Sequence, residues 1–301
     1  MSEAQLCNIA PGVHAWIGTS GDSNAGAVES RDGLIVIDAQ QNRVLGEKFR
    51  DALKAAIGVP IRALVNTHFH LDHIAGNVAF TGTTIVAHNR TRQLIEKELG
   101  PAPPQGIEVS DIAAKLRMFF GSNFQELVPE GERQWFIDRV GGSSTLTVLS
   151  PTDTFPDKRV YSLNGDVVHL QYWGPAHCDG DLVIYLPRAG VVFMGDLFFN
   201  ERFPWLGDCD LDGWIAALDR VLAMDMSIVV PGHGLPATRT ELRQFRDLLA
   251  AMRAAVGRAI KSGWSEEAAV RDVVLTDYTA MQRYKEWMPF NIRAVYRYLR
   301  G

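Results

Sequence analysis

Cysteine is scarce in this chain: Cys7, Cys178 and Cys209 are the only three among 301 residues, odd in number and far apart. That excludes a disulfide framework and a four-cysteine zinc knot, and it fits a reducing compartment. Basic charge is not in surplus either, since 30 Lys and Arg stand against 35 Asp and Glu, a formal net charge of −5. Phosphate-binding faces normally show as a basic excess, so nucleic acid fits poorly as a partner. Long apolar runs are also missing, and no window approaches the roughly 20 apolar residues of a membrane span. Met1 to Gly12 holds Glu3 but no Lys or Arg, and it lacks the apolar stretch of a secretory leader. The expectation is a cytoplasmic protein with a small-molecule partner and no nucleic acid or membrane. At 47% hydrophobic it has material for one large core or two small ones.

What is present is strand-like and helical segments in alternation. Val13 to Ile17, Ala25 to Glu29 and Leu34 to Asp38 read as strands with Gly and Asp turns between them. Val44 to Ile57 has helical spacing, Ile61 to Val65 reads as a buried strand, Ile85 to Ala87 as the next, and Asn89 to Leu99 as a helix. Composition shifts at Gly100-Pro101-Ala102-Pro103-Pro104. From there to about Gly142 the chain is read as an irregular or helical insertion, a lid or one wall of a pocket. Strand patterning restarts at Thr145 to Leu149, Arg159 to Leu163, Asp166 to Trp173, Leu182 to Leu186 and Val191 to Met194. A helix at Leu211 to Met224 and a strand at Ser227 to Val230 follow. Beyond Pro236 the chain turns helical: Glu241 to Ile260, a second helix capped by Ser265, and Asn291 to Leu299. Two strand-rich halves with helices predict an α/β fold of two sheets face to face, helices outside.

Three of the eight histidines fall within six residues, in Thr67-His68-Phe69-His70-Leu71-Asp72-His73. Burying so many imidazoles and carboxylates together costs several kcal/mol without partners, and a bound cation removes that cost. Neutral imidazole and carboxylate are zinc ligands, and the absence of cysteine from the run points to an open catalytic site. Side chains two apart on an extended segment point the same way, so His68 and His70 fit one ion. Asp72 and His73, after the chain turns, are available for a second ion nearby. The run sits where a strand ends, the usual place for ligands in layered α/β folds.

The run resembles the His-x-His-x-Asp-His signature of the metallo-β-lactamase-fold hydrolases. Gly174-Pro175-Ala176-His177, Val192-Phe193-Met194-Gly195-Asp196 and Val229-Val230-Pro231-Gly232-His233-Gly234 resemble that superfamily's later landmarks, in order. The resemblance spans roughly residues 10 to 236. It implies a four-layer αββα sandwich with a helical C-terminal extension, with 1–236 as the catalytic domain, 100–142 as its insertion and 237–301 packed on it. It also implies that His68, His70 and His177 hold one metal, that Asp72, His73 and His233 hold a second, and that Asp196 bridges them. Two divalent ions are expected, zinc first, with iron or manganese as alternatives. A hydroxide shared between the ions would attack the substrate, with Asp72 as its holder and proton carrier.

Within that superfamily, His70 stands where di-iron oxidoreductases carry a glutamate. Asp196 stands where the zinc β-lactamases proper commonly differ, and the acidic balance disfavours the nucleases. The resemblance therefore implies hydrolysis of a small-molecule ester, thioester or lactone, on the side of the glyoxalase II-like enzymes. Alternatives are β-lactamase or phosphodiesterase activity, a mononuclear-iron persulfide dioxygenase and a noncatalytic metal-binding scaffold. Asp179 and Asp181 are candidates to orient His177, while His14, His88 and His169 read as structural. Phe198 to Trp205 reads as an apolar substrate wall, with Phe119, Phe120 and Trp135 opposite. Trp264, Trp287, Phe290, Tyr296 and Tyr298 leave a homodimer contact open.

Overall fold

A computed structural model describes residues 4–19, 22–121, 124–128, 130–140, 145–163 and 167–301. In chain order the first half runs β1 (Gln5–Ala10), β2 (Val13–Ile17), β3 (Ala25–Ser30), β4 (Gly33–Ile37), α1 (Arg43–Ala56), β5 (Ile61–Val65), α2 (Leu71–Ile74), β6 (Thr84–His88) and α3 (Asn89–Leu99). The insertion holds β7 (Ile107–Val109), α4 (Ile112–Phe120), α5 (Phe124–Leu127) and α6 (Glu130–Val140). Then come β8 (Leu146–Val148), β9 (Asp153–Phe155), β10 (Lys158–Ser162), β11 (Val167–Tyr172), β12 (Leu182–Leu186), β13 (Val191–Phe193), α7 (Leu211–Leu222) and β14 (Ile228–Val230). Three helices follow: α8 (Arg239–Lys261), α9 (Glu266–Asp272) and α10 (Tyr284–Arg300).

The first sheet has the order β1-β2-β3-β4-β5-β6-β9 and the second β10-β11-β12-β13-β14. Because strand side chains alternate, each sheet buries two faces. Ile35, Ile37 and Val65 of the first sheet meet Leu170, Ile184 and Phe193 of the second, which makes the central core. On the outer face of the first sheet, Leu34, Val36 and Leu64 pack on Phe49 and Leu53 of α1. On the outer face of the second, Val183, Val192 and Val229 join Trp214, Leu218, Leu242 and Phe245 of α7 and α8. The result is the four-layer αββα sandwich.

Local sequence explains the helices. Asn42 caps α1 by accepting from the Leu45 N–H, and Thr238 and Glu241 form a capping box at the start of α8. Leu242, Phe245, Leu249, Met252 and Val256 then bury one helical stripe. Ser265 caps α9 as expected, its side chain accepting from the Ala268 N–H. No helix among the described residues is long and apolar enough to cross a membrane.

The structure corrects several boundaries. Thr145 to Leu149 does not join the second sheet: β8 pairs with β7 of the insertion in a separate two-stranded ribbon. β1 and β9 extend the first sheet at opposite edges and lack the strong alternation of the strands inside it. The last helix begins at Tyr284 rather than Asn291 and runs through Pro289. Burial of Tyr284, Trp287 and Met288 outweighs the backbone hydrogen bond that proline removes. Asp166, expected at a strand start, lies outside the described residues.

Candidate metal centre

Four strands deliver the site to one edge of the sandwich. β4 and β5 are parallel neighbours, as are β13 and β14, so their C-terminal ends face the same way. His68 follows β5, Asp196 follows β13 and His233 follows β14. His177 lies in the turn that leads into antiparallel β12. After the extended His70 (φ −65°, ψ 142°) the chain coils into α2, whose Leu71 and Ile74 are fully buried while Asp72 and His73 share the same turn. Two glycines are required by close approach. A Cβ on Gly195 would sit 2.5 Å from Thr67 Oγ1, and one on Gly232 would sit 2.0 Å from Asp196 Oδ1.

All seven residues are buried and fall into two groups: His68, His70, His177 and Asp196, and Asp72, His73, Asp196 and His233. Within each group the ligand atoms all lie within 4.8 Å of one another. Asp196 belongs to both through different oxygens. Its Oδ2 lies 4.0 Å from His68 Nε2 and 3.6 Å from His177 Nε2. Its Oδ1 lies 3.0 Å from His73 Nε2 and 3.5 Å from His233 Nε2. Asp72 Oδ2 lies 3.1 Å from His233 Nε2 and 3.6 Å from His73 Nε2, and His177 Nε2 is 3.0 Å from His70 Nδ1.

His68 Nε2, His73 Nε2 and Asp196 Oδ1 are buried and make no hydrogen bond of ordinary geometry among the described residues. Leaving such atoms unmatched costs about 1–3 kcal/mol each. Inward-facing imidazole nitrogens around a shared carboxylate are the donor set that divalent ions take, so these residues fit such ions. Electrostatics agree. Burial, reinforced by the neighbouring imidazoles, holds His68 well below the usual histidine range, and burial pushes His177 down to about 3. Burial also opposes charge on His73 and His233, yet the facing carboxylates, Asp196 foremost, outweigh it and raise both. Asp196 is likewise penalised by burial, but the His233 and His73 imidazoles hold it well below the ordinary carboxylate range. The carboxylates thus favour positive charge at His73 and His233, and a bound cation would compete with protons for these same atoms.

Asp38, at the end of β4, is a functional residue that motif reading missed. Its carboxylate accepts from the Thr67 N–H (2.8 Å), the Thr67 hydroxyl (2.7 Å) and His73 Nδ1–H (2.9 Å). Because the Thr67 hydroxyl gives its proton to Asp38, it faces His68 Nδ1 at 3.0 Å as an acceptor. Both rings therefore carry hydrogen on Nδ1 and aim Nε2 into the centre, where a bound ion would take the place of any proton there, the outer-shell arrangement of metal-site imidazoles. A readable signal existed: an acidic residue ending the apolar strand beside the one that feeds the histidine run. Asp38 adopts φ 56° to reach them.

Neither Asp179 nor Asp181 orients His177. Asp179 accepts from the Tyr172 hydroxyl at 2.5 Å and pairs with Arg90. Asp181 accepts from the Cys178 N–H at 2.7 Å and from its thiol at 3.2 Å. Burial pushes Asp181 up to about 7 and the Cys178 thiol well above its usual range. Packing holds His177 instead, with Trp214 at 5.1 Å and Phe199 at 5.9 Å between ring centres. Phe199 also stacks on His233. His14 bonds Glu29, His88 stacks on Tyr172 and His169 on Tyr185, all outside the two ligand groups.

The expected aromatic walls do not stand apart. Phe120 of α4 lies edge-on to Trp205 at 5.2 Å, Phe119 packs on Phe136 at 4.2 Å, and Phe198, Phe203 and Trp205 are buried with them. The insertion is docked on the 198–205 loop as core. The Trp135 side chain lies outside what is described.

The chain belongs to the metallo-beta-lactamase superfamily, whose model matches residues 18–233. It thus shares the metallo-β-lactamase fold and brings together two His/Asp groups that could each hold a metal ion. It is 26% identical over 292 residues to a linear primary-alkylsulfatase of Pseudomonas sp. (strain ATCC 19151), covering 90% of this chain and 54% of that one. It is 23% identical over 253 residues to the 2,4-dinitroanisole O-demethylase subunit alpha of Nocardioides sp. (strain JS1661), covering 82% and 63%. The chain therefore spans between half and two thirds of the length of these curated relatives. Among solved structures it resembles the sec-alkylsulfatase Pisa1 from Pseudomonas sp., with TM-score 0.71 and 19% identity over 98% of this chain and 50% of that one. It also resembles a metallo-beta-lactamase from Pontibacter korlensis, with TM-score 0.61 and 19% identity over 82% and 99%.

Proposed function

We propose that the chain is a two-metal hydrolase of small-molecule esters, thioesters or lactones. The observation that carries this reading is Asp196, which turns one oxygen to each of two otherwise separate ligand groups. His68, His70 and His177 would hold one ion, and Asp72, His73 and His233 the other, zinc being the ion that suits the donors best. Bound there, the ions supply a water activated at neutral pH and polarisation of the scissile group. The protein's own part is to hold and move a proton. Despite burial, the imidazoles of His73 and His233 keep Asp72 ionised, so its carboxylate can accept a hydrogen bond from the attacking water and pass the proton to the leaving oxygen or sulfur. Residues 1–236 form the catalytic unit in this reading. The insertion 100–142 borders the substrate, and the helices of 237–301 support it. Free thiols at Cys7, Cys178 and Cys209 are consistent with a reducing, cytoplasmic setting.

A second reading, hydrolysis of an alkyl sulfate ester, is favoured by the similarity to the linear primary-alkylsulfatase over 90% of this chain. Both readings need the same site and differ in the charge of the group cleaved. Carboxylic esters, thioesters, lactones, alkyl sulfates, phosphodiesters and β-lactams should be assayed together on protein of measured metal content. The first three are expected to turn over fastest, with two ions per chain. Preference for alkyl sulfates would select the second reading, and a single iron per chain would point to oxidation. Unchanged turnover in His70→Ala would refute metal hydrolysis altogether.

A further inference from the structure

We propose that Ser23 and Asn24, the two residues that lead into β3, form a clamp on the second ligand group alone, setting that ion's affinity separately from the first. The inference rests on the two-ion reading above and names residues outside all of its ligands. Asn24 is 3% exposed, and its side-chain amide is fully used. Both N–H groups donate across the turn that carries His233, to the carbonyls of Pro231 at 2.9 Å and Gly234 at 2.7 Å. Its Oδ1 accepts from the Gly18 N–H at 2.9 Å. Reversing the amide would set an oxygen against two carbonyls, so its orientation is fixed. The Asn24 backbone N–H donates to the Gly232 carbonyl at 2.7 Å as well. The carbonyls of Pro231, Gly232 and Gly234, which flank His233 on both sides, are thus tied to one residue, in a turn whose Gly232 and Gly234 would otherwise leave it loose.

Ser23 reaches the other loop. Its hydroxyl donates to the backbone carbonyl of Asp72, and its own carbonyl accepts from Gln40 Nε2 at 2.8 Å. Asp72 and His233 are the two ligands whose atoms approach to 3.1 Å, and the clamp holds both of their backbones from one side. Among the described residues, neither side chain hydrogen-bonds to His68, His70 or His177. The first group has its own support in Thr67, Trp214 and Phe199.

Zinc titration of the metal-free full chain, read by calorimetry and by metal content after dialysis, separates the two ions. Asn24→Asp keeps the acceptor for Gly18 but loses both donors and turns a carboxylate toward two carbonyls. Loss of an outer-shell partner weakens metal affinity 10- to 100-fold. The expected result is that loss at the second ion with the first unchanged, and a smaller, same-sided loss in Ser23→Ala, which also serves if Asn24→Asp does not fold. Equal weakening of both ions, the mark of a merely structural role, would overturn the proposal, as would two unaltered affinities. Wild-type protein that takes up only one ion would instead overturn the two-ion reading, and the clamp with it.

Discussion

Asp38→Asn is the sharpest test of how the imidazoles are aimed. The carboxylate accepts three hydrogen bonds, from the Thr67 N–H, the Thr67 hydroxyl and His73 Nδ1–H, and it is 2% exposed, so water cannot stand in. Asparagine has one acceptor oxygen and one NH2, which gives two arrangements. If the oxygen stays on the Thr67 N–H, the NH2 confronts His73 Nδ1–H. The ring must then move its hydrogen to Nε2, where a ligand lone pair is needed. If the amide is reversed, the NH2 confronts the Thr67 N–H, and a buried donor goes unmatched. Either way one buried polar group is lost from the count, a destabilisation of about 1–3 kcal/mol in the metal-free protein. In the first arrangement the second ion also weakens, by the 10- to 100-fold typical of outer-shell loss, or about 1.4–2.7 kcal/mol. Urea unfolding of the metal-free chain and zinc titration measure the two effects separately. An unchanged urea midpoint together with wild-type affinity for both ions would refute the assignment of Nδ1–H to His73 and the outer-shell role of Asp38.

Three further outcomes are expected. Asp181 has a folded pKa of about 7 against an ordinary aspartate value near 4. Its contribution to stability is therefore present below about pH 4 and lost as pH rises through about 7. Subtracting the pH–stability profile of Asp181→Asn from that of the metal-free wild type should expose a decline over that window, and a flat difference would contradict the burial argument. Gly232→Ala places a Cβ 2.0 Å from Asp196 Oδ1. It should weaken both ions at least ~10-fold, and loss of only one would mean that Asp196 is not shared. Phe136→Ala removes a fully buried ring that meets Phe119 and Phe120. It should cost about 3–5 kcal/mol in chemical denaturation, and a negligible loss would mean that the insertion is not part of the core.

Much of this architecture can be read from local pattern because local pattern is what builds it. Ile61 to Val65 and Asn89 to Leu99 match β5 and α3 residue for residue, since apolar spacing and turn residues bound both segments. The histidine run places four polar groups at a strand end, and the structure brings them together with His177, Asp196 and His233. What was not legible depends on pairing between distant segments. β9 has three residues and is a strand only because β6 offers it an edge. β8 has ordinary strand composition but finds its partner inside the insertion. α10 runs through Pro289 because α9, α8 and α5 give its buried side somewhere to pack. Asp38 carries no motif of its own, and its role appears only once β4 and β5 are known to be parallel neighbours.

The same reasoning explains why the reaction class is easier to read than the substrate. Ligands come from short turns at the ends of four strands, and each turn carries its motif within a few positions of the ligand, even where Asp38 and Asn24 support it from a distant segment. The packing of the insertion on the rest of the chain has no such local origin. Glu132 of α6 is held by Arg283 at the start of α10, whose Trp287 lies beneath the guanidinium groups of both Arg283 and Arg202. Phe120 of α4 closes on Trp205 of the loop after Asp196. The insertion, the post-Asp196 loop and the C-terminal helix, more than a hundred residues apart at their extremes, therefore fix one another. None of these packing residues belongs to the two ligand groups, so the donor set and the packing around it are specified by different parts of the sequence, and the fold alone does not name a substrate.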